Sequence, residues 1–162
     1  MQFFFYGTLM DRDVRRAVFP HLAEELRIRP AVLPGYRRVK ANCGNFPVLV
    51  RRPGSRVRGH LAQGLDARGV LLMAHFEGTE YLPRPTTVID RLGARHRAWL
   101  FLPSHNRHVS RASWRLEHWR LLDKRRLMPS IERWFSQYGA GTLESQDVPW
   151  RVRRWLMEQL GN

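Results

Sequence analysis

The N-terminal segment MQFFFYGTLMDRD constrains the fold of this chain more than any other feature of its sequence. Three consecutive phenylalanines at residues 3–5 predict a buried strand over residues 2–6. The apolar run is too short for a secretory signal, and Asp11 and Asp13 follow it directly, so we expect no signal peptide. The apolar run is followed at residues 6–9 (YGTL) by small and hydroxylated residues, whose presence at the end of a buried strand requires an explanation.

The composition is that of a globular domain. A chain of 162 residues is long enough to bury a core in one domain, and 43% hydrophobic residues argue against disorder. No stretch approaches the roughly 20 apolar residues that cross a bilayer, so we expect no membrane partner. Cys43 is the only cysteine, which excludes an internal disulfide and is consistent with the cytoplasmic location that we expect.

The net charge of +14 raises the question of a nucleic-acid partner. The charge is shared along the chain, with 17 basic and 8 acidic groups in residues 1–103 and 11 and 6 in residues 104–162. All basic residues except Lys40 and Lys124 are arginine, a bias that GC-rich genomes produce. We therefore expect no specific nucleic-acid partner, and any association with DNA or RNA to be weak and salt-sensitive.

The pattern of apolar and turn-forming residues predicts short, mixed elements. A helix is expected to begin at the cap Asp11 and to end near Phe19, and another, over residues 69–77, to end at Gly78. Further strands are predicted over residues 30–33, 36–42, 46–50, 57–65, 86–90 and 95–102. The predicted fold class is α+β, with a mixed small β-barrel or strongly curved sheet flanked by short helices.

The sequence changes character after Pro103, and five of the six tryptophans follow it. Helices are predicted over residues 110–127, 129–138 and 148–160, the second beginning at Pro129. We divide the chain into a core, residues 1–103, and a Trp/Arg-rich helical extension, residues 104–162, that is part of the same domain. Its tryptophans are expected in the core, with the arginines extending outward to solvent.

Residues 6–9 are candidates for ligand binding. Gly7 lets the backbone approach a ligand closely, and consecutive N–H groups between a strand and a helix can bind a carboxylate or oxyanion. The hydroxyls of Tyr6 and Thr8 can add hydrogen bonds, and Leu9 completes the turn. The alternative for these four residues alone is an ordinary turn at the end of a strand.

A second candidate is Glu77, within the segment HFEGTEYLPRPTTV of residues 75–88. It lies in the last turn of a short apolar helix, where the helix dipole and desolvation should both raise its pKa. Such a shift prepares a glutamate for proton transfer near neutral pH. The alternative is a solvated glutamate at a helix end.

Together the two segments resemble the gamma-glutamylcyclotransferase-like family. Its members open with a hydrophobic strand ending in Tyr-Gly-Ser/Thr-Leu, here residues 6–9, and later carry Phe-Glu-Gly, here residues 76–78, followed by a tyrosine and an arginine, here Tyr81 and Arg84. The resemblance covers roughly residues 1–102. Other features typical of the family lie between the two segments, at residues 34–36 (PGY), 46–47 (FP) and 57–59 (VRG).

The resemblance implies a mixed β-barrel with a pocket at the first turn, and a reaction without a cofactor. The α-amine of a γ-glutamyl group attacks its own γ-carbonyl, which releases 5-oxoproline and an amine or amino acid. Glu77 is then the acid/base, the backbone of residues 6–9 holds the glutamyl end, and Tyr81 lines the pocket. The alternative function is a non-catalytic binding module on the same scaffold, whose basic surface contacts an acidic partner or nucleic acid.

The sequence departs from the family pattern at two places. The family often has an acidic residue three positions before the glutamate, where this chain has Ala74. Its arginine usually falls two positions after the tyrosine, whereas Arg84 comes one position later. These departures leave open whether Arg84 reaches the pocket.

Other candidate residues carry weaker signals. Cys43 has no adjacent base, so we expect a small packed thiol rather than a nucleophile. His105 and His108 have an HxxH spacing without clustered acidic or cysteine partners, so we expect no metal site. Glu80 is expected beyond the helix end, in solvent.

Overall fold

The structure is a computed structural model, and it describes residues 1–104, 109–137 and 148–161. Single 3-10 turns lie at Thr8–Met10 and Pro20–Leu22. No helix within the described ranges is long and apolar enough to span a membrane. The strands and α-helices, in chain order, are β1 (Gln2–Phe5), α1 (Arg12–Val18), β2 (Arg27–Ala41), β3 (Pro47–Gln63), α2 (Ala67–Glu77), β4 (Tyr81–Asp90), β5 (Arg95–Pro103), β6 (Val109–Ser113), α3 (Leu116–Leu122), α4 (Lys124–Ser136) and α5 (Trp150–Leu160).

Five strands close into a mixed barrel in the order β3-β1-β5-β4-β2, because β2 also pairs with β3. The first strand, β1, runs antiparallel to β3 and parallel to β5, and β6 is added at the outer side of β2. The predicted fold class, an α+β chain with a small mixed barrel, is confirmed.

The phenylalanines of β1 explain its place within the barrel wall. Side chains alternate between the two faces of a strand, so Phe4 contributes to the barrel interior with Leu61 and Leu100. Phe3 and Phe5 point the other way, into the apolar layer between the barrel and the helices. All three side chains are at most 3% exposed, as expected for a strand that is covered on both faces.

The helical extension packs against this outer layer, as predicted. Buried side chains from β6 onward belong to the same apolar cluster as Phe3 and Phe5. The extension also makes polar contacts with the start of the chain, because the buried carboxylate of Asp11 accepts hydrogen bonds from Arg120 and Lys124. The buried side chains that the extension contributes to the cluster are Trp114, Leu116, Trp119, Phe135, Val148, Val152 and Leu156.

Asp11 caps α1 as predicted, and its side chain accepts a hydrogen bond from the N–H of Asp13. Burial opposes the ionisation of this carboxyl group. The hydrogen bonds from Lys124 and Arg120 outweigh burial and hold the pKa of Asp11 below its usual value. The first residues after the candidate binding turn are therefore anchored to the extension by a charged group.

The predicted breaks within two strands are wrong. Residues 30–33 and all but the last of residues 36–42 belong to one strand, β2, which accommodates its Pro-Gly pair through a register shift between Pro34 and Tyr36. Most of residues 46–50 and most of residues 57–65 likewise belong to one strand, β3. Pairing between the two long strands continues past residues that form turns in isolation, which is how β-bulges work.

The extension also differs from its predicted helices. Residues 109–113 form an edge strand on β2 rather than the start of a helix, and Pro129 lies inside α4 rather than at its first turn. Trp114 and Trp119 are buried as expected, whereas Trp134 and Trp150 are 43% and 64% exposed, so the expectation of core tryptophans is wrong for these two.

Candidate active site

A cavity of about 320 Å³ lies where the end of β1 meets the end of α2. All six residues that the sequence singled out line it: Tyr6, Gly7, Thr8, Leu9, Glu77 and Tyr81. The remaining wall is apolar, and sequence reasoning did not assign it to the site. These additional lining residues are Phe3, Phe4, Phe5, Phe46, Pro47, Met73, Phe76 and Phe101.

The turn after β1 presents unused hydrogen-bond donors. The carbonyls of Gly7 and Thr8 accept bonds from the N–H groups of Met10 and Asp11, at 2.9 and 2.8 Å. Among the hydrogen bonds of the described residues, none has the N–H of Gly7, Thr8 or Leu9 as its donor. These three N–H groups are therefore available to a ligand in the cavity.

Gly7 is required at this turn by close packing. A Cβ at this position would lie 2.9 Å from the ring of Pro47, closer than real Cβ atoms approach. The backbone of Gly7 has φ of −119°, so the glycine is not needed for a left-handed conformation. Pro47 is part of the cavity wall, so a larger side chain at position 7 would displace that wall.

Two arginines bind carbonyl groups of the turn. Arg38 donates from Nη1 to the carbonyl oxygen of Tyr6 at 2.8 Å, and Arg15 donates from Nη1 to that of Leu9 at 2.8 Å. The carbonyl of Tyr6 and the N–H of Gly7 belong to one planar peptide group, so Arg38 also orients that N–H. Sequence reasoning missed Arg38, because nothing distinguishes it from the many other arginines before the fold is known.

The backbone places Glu77 at the C-terminal end of α2. Gly78 follows with φ of +88° and donates its N–H to the carbonyl of Ala74, which confirms the predicted end of this helix. Burial of the carboxyl group raises the pKa of Glu77 from 4.5 to about 7. The residue is nevertheless partly exposed, because it lines the cavity.

No side chain or N–H among the described residues donates a hydrogen bond to the Glu77 carboxylate. Nothing within the described structure therefore offsets the cost of desolvating its charge. A carboxyl group with a pKa of about 7 exchanges its proton readily near neutral pH. The geometry gives the cavity one group suited to proton transfer.

Tyr6 remains a neutral phenol beside this carboxylate. Its hydroxyl donates to the carbonyl of Phe101 at 2.7 Å, across the barrel wall. Burial, the negative charge of Glu77 and the nearby Tyr81 raise the pKa of Tyr6 well above its usual value. The hydroxyl hydrogen of Tyr6, which was predicted to bind a ligand, is thus donated within the protein. Only the phenol oxygen remains, as an acceptor.

The side chains of Tyr81 and Arg84, both near the start of β4, lie at different sites. Tyr81 is buried and lines the cavity, whereas Arg84 is exposed and lines another cavity with Tyr36 and Leu100. Side chains three positions apart on a strand point to opposite faces, so the later position of the arginine moves it away from Tyr81. Ala74 is fully buried and supplies no acidic group.

The weaker candidates lie elsewhere. Cys43 is exposed, so the expectation of a packed thiol is wrong. His105 and His108 lie outside the described residues. Within the part of the chain that the structure describes, no three His, Cys, Asp or Glu side chains form a group that could hold a metal ion. Glu80 is exposed beyond α2, as predicted.

The closed mixed barrel and the cavity at the end of its first strand define a class of small α+β proteins, and sequence comparison names the family. Residues 3–121 match the family described as gamma-glutamyl cyclotransferase, AIG2-like, and the chain belongs to this family. Comparison with the curated proteins gives no significant sequence match.

Solved structures show the same fold at low sequence identity. A protein from Arabidopsis thaliana is 19% identical, with a TM-score of 0.58 over 87% of this chain and 94% of its own. A gamma-glutamyl cyclotransferase is 11% identical, with a TM-score of 0.58 over 98% of both chains. An uncharacterized protein from Homo sapiens is also 11% identical, with a TM-score of 0.58 over 90% of this chain and 94% of its own.

Proposed function

We propose that this protein is a γ-glutamyl cyclotransferase that releases 5-oxoproline from a γ-glutamyl compound. The observation that carries the proposal is the cavity itself. It combines a carboxyl group whose pKa is raised to about 7 with three N–H groups that make no other hydrogen bond among the described residues. Membership of the gamma-glutamyl cyclotransferase, AIG2-like family supports the same activity.

The reaction needs one proton acceptor and no nucleophile from the protein. The substrate's α-amine nitrogen forms a bond to its own γ-carbonyl carbon, and the bond from that carbon to the leaving nitrogen breaks. The attacking ammonium loses two protons as it becomes the lactam N–H, and the leaving nitrogen gains two as it becomes an ammonium group, so atoms and charge balance without water or a co-reactant. The products are the five-membered lactam 5-oxoproline and a free amine or amino acid.

Glu77 would carry the first of these protons from the attacking nitrogen to the leaving nitrogen. Its ionised form accepts the proton from the attacking ammonium, and its neutral form donates it to the leaving nitrogen. A pKa of about 7 favours both steps near neutral pH, because neither protonation state is strongly disfavoured. A carboxyl group with an ordinary pKa would accept the proton less readily.

The turn and the apolar walls would position the substrate. The N–H groups of Gly7, Thr8 and Leu9 are suited to the negatively charged glutamyl end or to the oxyanion formed during attack. Tyr81, Phe101 and the other apolar lining residues restrict the space for the glutamyl chain. Holding the chain folded brings amine and carbonyl together, and such proximity accelerates ring closure.

A panel of γ-glutamyl amines and γ-glutamyl dipeptides, assayed for 5-oxoproline by mass spectrometry, tests the proposed activity. We expect release of 5-oxoproline from at least one class of compound. Absence of 5-oxoproline from every member would favour the alternative, a binding module on this scaffold. That alternative leaves the raised pKa of Glu77 without a purpose.

The cytoplasmic location stays a prediction.

A further inference from the structure

Positive charge is concentrated on the paired strands β2 and β3. Residues 1–103 and 104–162 carry a similar net charge per residue, but the charge is uneven within the first part. Residues 26–65 contain nine basic residues and no acidic residue. Successive side chains of a strand point to opposite faces, so the paired strands divide these charges between their faces. Five of them converge on one groove beside β6, whereas Arg51 lines a separate cavity with Tyr36. The nine basic residues are Arg27, Arg29, Arg37, Arg38, Lys40, Arg51, Arg52, Arg56 and Arg58.

The arginine-rich groove is an open groove of about 760 Å³ between these strands and the end of β6. Arginine supplies six of its eleven lining residues, although only 26 of the 162 residues in the chain are arginine. Among the described residues no carboxylate lines it, and Ser55 and Ser113 contribute hydroxyl groups. The six arginines of the groove are Arg37, Arg38, Arg52, Arg56, Arg58 and Arg115.

The guanidinium groups of the groove keep most of their charge uncompensated, although Glu117 interacts electrostatically with Arg38. Among the described residues, none of the six arginines forms an ion pair with a carboxylate. Arg37 donates to the carbonyl of Arg111, and Arg38 donates to backbone carbonyls and packs over the ring of Trp114. These contacts hold the side chains in place without compensating their charge, so the groove carries a strong positive potential.

The lining chemistry favours phosphate over other anions. Guanidinium groups match phosphate oxygens with two parallel hydrogen bonds, and serine hydroxyls donate to the same oxygens. A protein partner would need an exposed apolar or aromatic centre, and a bilayer would need apolar anchors. Trp114, the aromatic residue of the groove, is only 3% exposed, and large exposed apolar side chains such as Trp150 and Met157 lie on α5.

We propose that the arginine-rich groove binds the phosphate backbone of a nucleic acid without reading its sequence. A nucleic-acid strand supplies closely and regularly spaced negative charges, which suit cations spread along paired strands. Among the described residues that line the groove, no aromatic side chain is exposed for base stacking, so contacts with phosphates dominate. This agrees with the expectation of weak, salt-sensitive association and gives that association a location, apart from the cavity of the proposed reaction.

Fluorescence anisotropy with labelled, mixed-sequence single-stranded RNA and double-stranded DNA tests the proposal on the full chain. The groove variant combines Arg52→Gln, Arg56→Gln and Arg58→Gln, all at exposed positions. The control combines Arg12→Gln, Arg125→Gln and Arg133→Gln, which are exposed positions on the helical side and remove the same charge. Affinity is measured between about 50 and 200 mM salt.

We expect the groove variant to bind at least tenfold more weakly at the lowest salt. Its plot of log affinity against log salt should be shallower by about 2 to 3, since each phosphate contact contributes slightly less than one to the slope. The control should lose much less affinity and keep most of the slope. Unfolding midpoints of both variants verify that they are folded, and Arg56→Glu against Arg125→Glu replaces the comparison if the triple variant is destabilised.

Several results would overturn the proposal. Equal losses in the groove variant and the control would show that diffuse charge is responsible. Displacement of the nucleic acid by a polyglutamate chain at equal charge concentration would indicate an acidic protein partner, and tighter binding to anionic vesicles would indicate a membrane surface. A strong dependence on base sequence, or absence of binding at low salt, would contradict it as well.

Discussion

The raised pKa of Glu77 predicts how the stability of the protein changes with pH. In the unfolded chain this carboxyl group ionises near its usual pKa of 4.5, whereas in the folded protein it ionises at about 7. Between these values the unfolded state loses its proton first, so ionisation stabilises the unfolded state. Glu77 therefore lowers the stability of the folded protein as the pH rises from 4.5 to 7, and the loss is complete above that range.

The variant Glu77→Gln keeps the size of the side chain and removes its charge. The difference between the folded pKa of about 7 and the usual 4.5 corresponds to about 3 kcal/mol of unfolding free energy above neutral pH. We expect the variant and the unmodified protein to be equally stable near about pH 4, and the variant to be more stable by up to that amount near about pH 8.

Urea unfolding over this pH range measures the difference in unfolding free energy, since urea does not screen charges as guanidinium chloride does. Glu80→Gln, at an exposed position beyond α2, is the matched control and should give a difference that changes little with pH. A difference for Glu77→Gln that stays constant from acid to neutral pH would refute the desolvation of this carboxyl group. So would a variant that is less stable than the unmodified protein at the higher pH.

Three other predictions concern the site and the extension. With an active γ-glutamyl substrate, kcat/KM should fall below about pH 7, because Glu77 must be ionised to accept the ammonium proton; an unchanged rate to about pH 5 would contradict this. Arg38→Met should raise KM more than it lowers kcat, since the N–H of Gly7 is no longer oriented through the carbonyl of Tyr6, and Arg38→Lys should restore part of the loss; steady-state kinetics would show equal KM values if that contact has no role. Removing residues 104–162 should lower the thermal midpoint or the solubility, because Phe3 and Phe5 lose part of their cover; a soluble truncated chain with an unchanged midpoint would show that the core does not depend on the extension.

The parts of the structure that were predictable depend on residues close together in the sequence. Three phenylalanines in succession predict a buried strand, and β1 is buried on both faces. Asp11 caps α1, and Gly78 ends α2, because caps act on the adjacent turn. The helix end also placed Glu77 in an apolar setting, although burial alone accounts for its raised pKa.

The errors concern elements whose structure depends on distant pairing. Residues 109–113 carry no strong strand signal, yet they pair with β2, where Val39 lies opposite Ser113 and Ala41 opposite Val109. Pro34 indicates a turn locally, but pairing with β3 carries the strand past it. Tertiary contacts override local preference in both places.

Neither the contribution of Arg38 nor the arginine-rich groove could be predicted from the sequence, for the same reason. Both depend on which arginines the barrel brings together, and residues far apart in the sequence meet there. Arg38 contacts Tyr6, which follows β1, and Trp114, which follows β6. These two residues lie 32 and 76 positions from Arg38 in the sequence. The resemblance to a family directed attention to the cavity at the end of β1, because its two motifs name residues that converge only in the folded chain.

The most direct test of the proposed activity compares 5-oxoproline release by the unmodified protein, Glu77→Gln and Glu80→Gln, with one active γ-glutamyl substrate. The account predicts that Glu77→Gln lowers turnover by roughly 10²–10⁴, the usual share of general acid–base catalysis, while Glu80→Gln changes it little. The N–H groups of residues 7–9 are untouched, so binding of the γ-glutamyl end should survive in both variants. Equal turnover by Glu77→Gln and the unmodified protein would remove Glu77 from the mechanism and contradict the account.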